Sequence, residues 1–124
     1  MKDKRPVNLD LTQFSFPLPA LTSIVHRATG IVLFVGVAIL MYFFELSLSG
    51  EEGFNTVKEC LSGLFVRLII WGIVSALLYH LVAGVKHLLM DVGIGETLEG
   101  GVFGSKIVIA VSAILILAVG VWLW

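Results

Sequence analysis

The stretch Leu68–Val85, LIIWGIVSALLYHLVAGV, contains no Asp, Glu, Lys or Arg. At 1.5 Å rise per residue, its roughly 18 residues reach about 27 Å, close to the hydrocarbon thickness of a bilayer. One residue does not fit a purely lipid-soluble helix. His80 places a titratable ring inside the span, where such groups are costly and mark function by default. Imidazole is the commonest protein ligand for metals and a usual axial ligand of haem iron. It also bridges neighbouring membrane helices as a neutral hydrogen-bonding group. The residue alone leaves both readings open.

Two more uncharged runs flank this one. Ala28–Phe44, ATGIVLFVGVAILMYFF, lies between Arg27 and Glu45, and Ile107–Trp124, IVIAVSAILILAVGVWLW, follows Lys106. A soluble chain of 124 residues can bury one such run, but not three on all faces. The composition agrees. Hydrophobic residues make up 58% and charged residues 14%, against about 45–50% and about 25% in soluble domains. The fold class is therefore an all-α membrane protein with three transmembrane helices, in a single domain over residues 1–124. No basic patch suits a nucleic acid, and no partner of that kind is expected. Cys60 is the only cysteine, which excludes an internal disulfide and offers no metal-site spacing.

The helices are expected over about 22–48, 57–91 and 105–124. Pro17 and Pro19 are expected to delay the first until Leu21 or Thr22, with Thr22 or Ser23 as its cap. The Ser49-Gly50-Glu51-Glu52-Gly53 turn signal puts the second start near Asn55 or Thr56, and Gly93 and Gly95 end that helix. Gly100-Gly101-Val102-Phe103-Gly104 reads as a loop. Lys2, Lys4, Arg5, Arg27, Lys86 and Lys106 lie on one side of the spans; only Lys58 and Arg67 lie on the other. This bias places the N-terminus in the cytoplasm. Arg67 then snorkels to the far surface, and Trp122 and Trp124 suit an aromatic belt there. The polar opening MKDKRPVNLD is not a secretory signal.

Two clusters carry candidate chemistry. On the second span, His80 and His87 are seven residues apart and share a face. Ala83 and Gly84 between them permit close approach of a helix or a flat macrocycle. Lys86 and His87 fall at the interface, where Lys86 can meet an anion and Asp91 can orient the His87 ring. On the first span, Ser23, His26 and Arg27 fall at i, i+3 and i+4 and line one face. Arg27 can hold a carboxylate in a bidentate fork, Ser23 and Arg27 can donate to a quinone carbonyl, and His26 can relay protons. A topology anchor with a capping serine explains Arg27 alone; the three together favour a site.

Three motifs carry a family resemblance: Arg5-Pro6-Val7-Asn8-Leu9-Asp10-Leu11, Ser23-Ile24-Val25-His26-Arg27-Ala28-Thr29-Gly30, and His80-Leu81-Val82-Ala83-Gly84-Val85-Lys86-His87 with Asp91 beyond it. Together they resemble the cytochrome b556 subunits of succinate dehydrogenase, the larger membrane anchors of respiratory complex II. Lys86 stands where some members carry Arg, which keeps the charge. The resemblance implies that His80 is an axial ligand of haem b, with the second axial histidine on a smaller anchor subunit. It implies haem-propionate contacts at His26 and Arg27, with His87 a further candidate, and a ubiquinone site at Ser23 and Arg27 with Ile24 beside them. Succinate oxidation, FAD and the iron–sulfur clusters belong to flavoprotein and iron–sulfur partner subunits, so no residue here is catalytic for that step. The implied location is the bacterial inner membrane, multi-pass.

Other function classes compete. A structural anchor would bind neither haem nor quinone, and His80 would bridge helices. A menaquinone-linked fumarate reductase would use an equivalent subunit. A proton-coupled transporter needs a mid-membrane carboxylate, and Glu45 at a helix end is a poor one.

Overall fold

The computed structural model describes residues 17–124. Lys2, Lys4, Arg5 and the Arg5–Leu11 motif lie outside the described residues. These residues form four helices: α1 (Leu18–Leu48), α2 (Glu51–Ser62), α3 (Leu64–Asp91) and α4 (Leu98–Leu123). Three of them, α1, α3 and α4, are long and apolar enough to cross a membrane. Each contacts the other two.

Several helix ends differ from expectation. Helix α1 starts at Leu18, with Pro17 at the N-cap and Pro19 in the first turn. Proline is tolerated there because the first N–H groups have no intrahelical partner, and its φ is already helical. Thr22 is therefore no cap. It is buried one turn inside the helix, and its hydroxyl donates to the Pro19 carbonyl at 3.0 Å. The segment before the second span is a separate helix. Gly50, at φ 147°, takes the chain from α1 into α2. Gly63, extended at φ −77° and ψ 139°, divides α2 from α3. Arg67 turns back across this break, its Nε donating to the Leu61 carbonyl at 3.1 Å. Its guanidinium lies 5.2 Å from the Trp124 ring centroid.

Helix α2 is amphipathic. Glu51, Glu52, Asn55, Thr56 and Glu59 are exposed, whereas Gly53, Val57, Cys60 and Leu61 turn inward. A Cβ at Gly53 would overlap the Leu46 carbonyl oxygen and the Ser49 hydroxyl, so only glycine permits this approach to the end of α1.

The glycine-rich stretch Gly100–Gly104 is not a loop. It lies in the first two turns of α4, capped by Thr97, whose Oγ1 accepts from the Gly100 N–H at 3.0 Å. Its glycines serve contact between helices. A Cβ at Gly101 would sit 3.6 Å from Pro19, and one at Gly104 would sit 3.2 Å from the Lys86 stem. The Lys86 ammonium donates to Ser105 Oγ at 3.0 Å, and Ser105 lies 3.1 Å from Thr22 Oγ1. Thr22 already spends its hydrogen on Pro19, so Ser105 is the donor in that pair. The resulting one-way series is Lys86 to Ser105 to Thr22 to the Pro19 carbonyl.

The core is narrow and made largely of small residues. Gly36, Ala83, Gly101, Ser105, Val108 and Ser112 are buried, while Phe34 is 86% exposed and Trp122 is 82% exposed. A soluble bundle would reverse that order. Lipid is as apolar as leucine, so membrane helices gain by close backbone approach rather than by hiding large side chains.

Candidate functional site

Helices α1 and α3 run antiparallel: Gly36 meets Ile73 deep in the bundle, and His26 meets His80 nearer the start of α1. This arrangement puts the two sequence clusters against each other. The His26 ring stacks on His80 with centroids 4.0 Å apart and planes 12° apart. It also stacks on His87, at 5.0 Å and 17°. His80 and His87 are two turns apart on α3, about 10 Å along the axis. His26 therefore fills the interval between them.

Glycines make room for the stack. A Cβ at Gly30 of α1 would lie 3.2 Å from His80 Cε1, and one at Gly84 of α3 would lie 3.4 Å from His26 Nε2. Each ring thus lies over a bare backbone position on the opposite helix. Gly84 was expected to admit a helix or a macrocycle; its visitor is the His26 ring. Ala83 beside it is fully buried, at 0% exposure.

Hydrogen bonds fix the state of two rings. His80 Nδ1 lies 3.0 Å from the His26 carbonyl oxygen and 3.2 Å from Thr29 Oγ1. A carbonyl only accepts, so Nδ1 carries the hydrogen, and in the neutral ring Nε2 keeps its lone pair. His87 Nδ1 donates to the Ala83 carbonyl at 2.8 Å, one turn back on its own helix. That carbonyl, and not Asp91, is the hydrogen-bond partner of the His87 ring. Tyr79 also ties the two helices, donating to the Thr22 carbonyl at 2.8 Å.

His26, Arg27, Gly30, Ile31, Phe34 and His80 line an open groove of about 610 Å³ on the outer face of the bundle. It is largely apolar, with Arg27 exposed in its wall. Ser23 is half-buried one turn earlier and outside this lining, and Ile24 is 48% exposed. Thus His26, His80 and Arg27 share one groove, His87 joins through the ring stack, and Ser23 and Ile24 sit to one side. Thr29 and Gly30 complete the contact with His80, although neither stands out in the sequence as a site residue. Their spacing from His26, at i+3 and i+4, puts them on its face and was the available signal.

Residues 1–119 match the family described as succinate dehydrogenase/fumarate reductase transmembrane subunit. The chain belongs to that family. It is 41% identical, over the full length of both chains, to a succinate dehydrogenase cytochrome b556 subunit of Coxiella burnetii. It is 31% identical to the cytochrome b556 subunit of Paracoccus denitrificans, covering 92% of this chain and 88% of that one. It is 33% identical to the human mitochondrial cytochrome b560 subunit, over 90% of this chain and 66% of that one. This transmembrane subunit is a multi-pass membrane protein, with α1, α3 and α4 as its spans.

Proposed function

We propose that this subunit anchors a succinate:ubiquinone oxidoreductase in a bacterial inner membrane. In this reading it supplies one axial ligand of a haem b and one wall of the quinone-reduction site. The observation that carries the reading is the state of His80. Its Nδ1–H is spent on α1, which leaves Nε2 as the coordinating nitrogen of the neutral ring, and the ring borders an apolar groove on the outside of the bundle. A haem needs that combination from a b-type ligand: an orientable neutral imidazole, an apolar wall, and a cation for its carboxylates.

The donor set fits half a haem site. Among the described residues no group of three or more His, Cys, Asp or Glu is placed to hold a metal. His26 is packed between two rings, and His87 lies two turns from His80 on the same helix. A second histidine for the haem would then come from another chain, the smaller anchor subunit that the family resemblance implies, and the exposed apolar groove face leaves room for its helices. When bound, the haem supplies a one-electron redox centre. His80 would hold the iron, and Arg27 and His26, with His87 behind them, would meet the propionate carboxylates.

The N-terminus faces the cytoplasm in this reading. The start of α1 then lies where an iron–sulfur subunit docks, with the flavoprotein beyond it. Ser23 and Arg27, with Ile24 beside them, donate to and enclose the quinone carbonyl at that surface. FAD and the iron–sulfur clusters stay in the partner subunits.

The test uses the complex assembled with its partner subunits. His80→Ala abolishes the b-type band in the reduced-minus-oxidised spectrum, and an unchanged band overturns the ligand assignment. In the same preparations Arg27→Ala lowers succinate–quinone turnover far more than succinate oxidation by an artificial dye. Equal loss in both assays removes the quinone role.

A further inference from the structure

Three atoms form a closed triangle where α1 meets His80. His80 Nδ1 to the His26 carbonyl oxygen is 3.0 Å, His80 Nδ1 to Thr29 Oγ1 is 3.2 Å, and Thr29 Oγ1 to the same carbonyl is 2.8 Å. With a neutral ring, one arrangement of hydrogens satisfies all three sides. Nδ1–H is shared between the carbonyl and the hydroxyl oxygen, and the hydroxyl hydrogen goes to the carbonyl. The other tautomer would turn the Nδ1 lone pair toward the carbonyl lone pairs. Thr29 would then have to abandon His26 to donate to it.

The hydroxyl therefore does more than a threonine's usual bond back to its own helix. It closes a bifurcated acceptor around one specific N–H. Gly30, the next residue, sets the ring plane, since any Cβ there would press on His80 Cε1 at 3.2 Å. A ligand's other ring nitrogen decides which nitrogen is free, and its hydrogen bonds raise the basicity of the coordinating one.

We infer that Thr29 is a positioning residue for the haem ligand: its hydroxyl, with the His26 carbonyl, locks His80 in the Nδ1–H tautomer and presents Nε2 to the iron. The inference rests on the haem reading above. It adds that Thr29 tunes the iron's potential without touching it. Loss of one acceptor lowers the charge the ring donates and destabilises the ferric state, which raises the midpoint potential.

The experiment is a redox titration of the b-type band, with low-spin ferric electron paramagnetic resonance, on the assembled complex. Thr29→Val keeps the branched shape and deletes the hydroxyl; Thr29→Ser keeps the hydroxyl. The expected result is an upward shift of the midpoint potential and altered g-values in Thr29→Val, with Thr29→Ser at wild-type values. A merely structural threonine would give a change in complex yield with wild-type potential and g-values in whatever complex forms. That result overturns the inference, as does equal behaviour of the Val and Ser variants. If Thr29→Val prevents assembly, Thr29→Ala, which adds no bulk, is read in the same way. His80→Ala separates the two levels. If it retains the band, the haem reading itself fails; if it loses the band while Thr29→Val titrates as wild type, only the role of Thr29 fails.

Discussion

At the end of the bundle where α1 begins, the helices are joined mainly by directed polar contacts. Tyr79 reaches the Thr22 carbonyl, Lys86 reaches Ser105, and His80 reaches the His26 carbonyl and Thr29. From the middle of the bundle to the opposite end the contacts are largely steric. Gly36 receives Ile73, Gly120 receives Trp71, and Gly53 lets α2 lie against the end of α1. The Trp71 Nε1–H to the Ile116 carbonyl, at 2.9 Å, is one directed bond among these. Hydrogen bonds between helices add a direction to the close approach that steric contact provides. A ligand ring must be correctly turned as well as correctly placed, and the histidines are at the oriented end.

The largest effect is expected at Gly36. A Cβ there would lie 2.8 Å from Ile73 Cγ2, on a β-branched side chain that is stiff at χ1. Gly36→Ala is expected to cost about 1–3 kcal/mol in detergent denaturation, the usual overpacking range, while the b-type band keeps its position. Adding Ile73→Val should recover part of that loss, which a double-mutant cycle measures. A displaced band would show that the steric end also controls the site.

Gly30→Ala makes the same chemical change six residues earlier and should give the opposite pattern. The new methyl presses on His80, so the band shifts or haem content falls. Stability changes by less than about 1 kcal/mol, because alanine's better helix propensity offsets the contact. The smallest effect belongs to a single bond. Tyr79→Phe removes one hydrogen bond between helices and should cost about 0.6 kcal/mol, the average measured for such bonds in a membrane protein. A much larger loss would sharpen the contrast between the ends.

The three spans were legible in the sequence because hydrocarbon thickness imposes a length and excludes charge. Their ends were less so. Pro17 and Pro19 read as a barrier to helix but serve as its first turn. Gly100–Gly104 reads as a loop, yet its glycines admit Pro19 and Lys86 to a helix. The prolines obey a local rule, since a first turn leaves its N–H groups unpaired, whereas at the glycines a local preference was outweighed by neighbours that no local pattern names. The site divides similarly. His26, Arg27, His80 and His87 stand out by charge or by spacing on one helix. The stacking of His26 between the other two rings depends on the register of α1 against α3, and so does the contact of Thr29 with His80. Spacing along one helix does not contain that register.

The one-way series from Lys86 through Ser105 and Thr22 has a consequence for proton traffic. A Grotthuss conduit requires every member to receive a hydrogen and pass one on. The series ends on the Pro19 carbonyl, an acceptor with no hydrogen to release. A proton leaving Lys86 toward α1 would reach a terminus. These polar atoms therefore tie α3 and α4 to α1 without forming a through-going proton conduit.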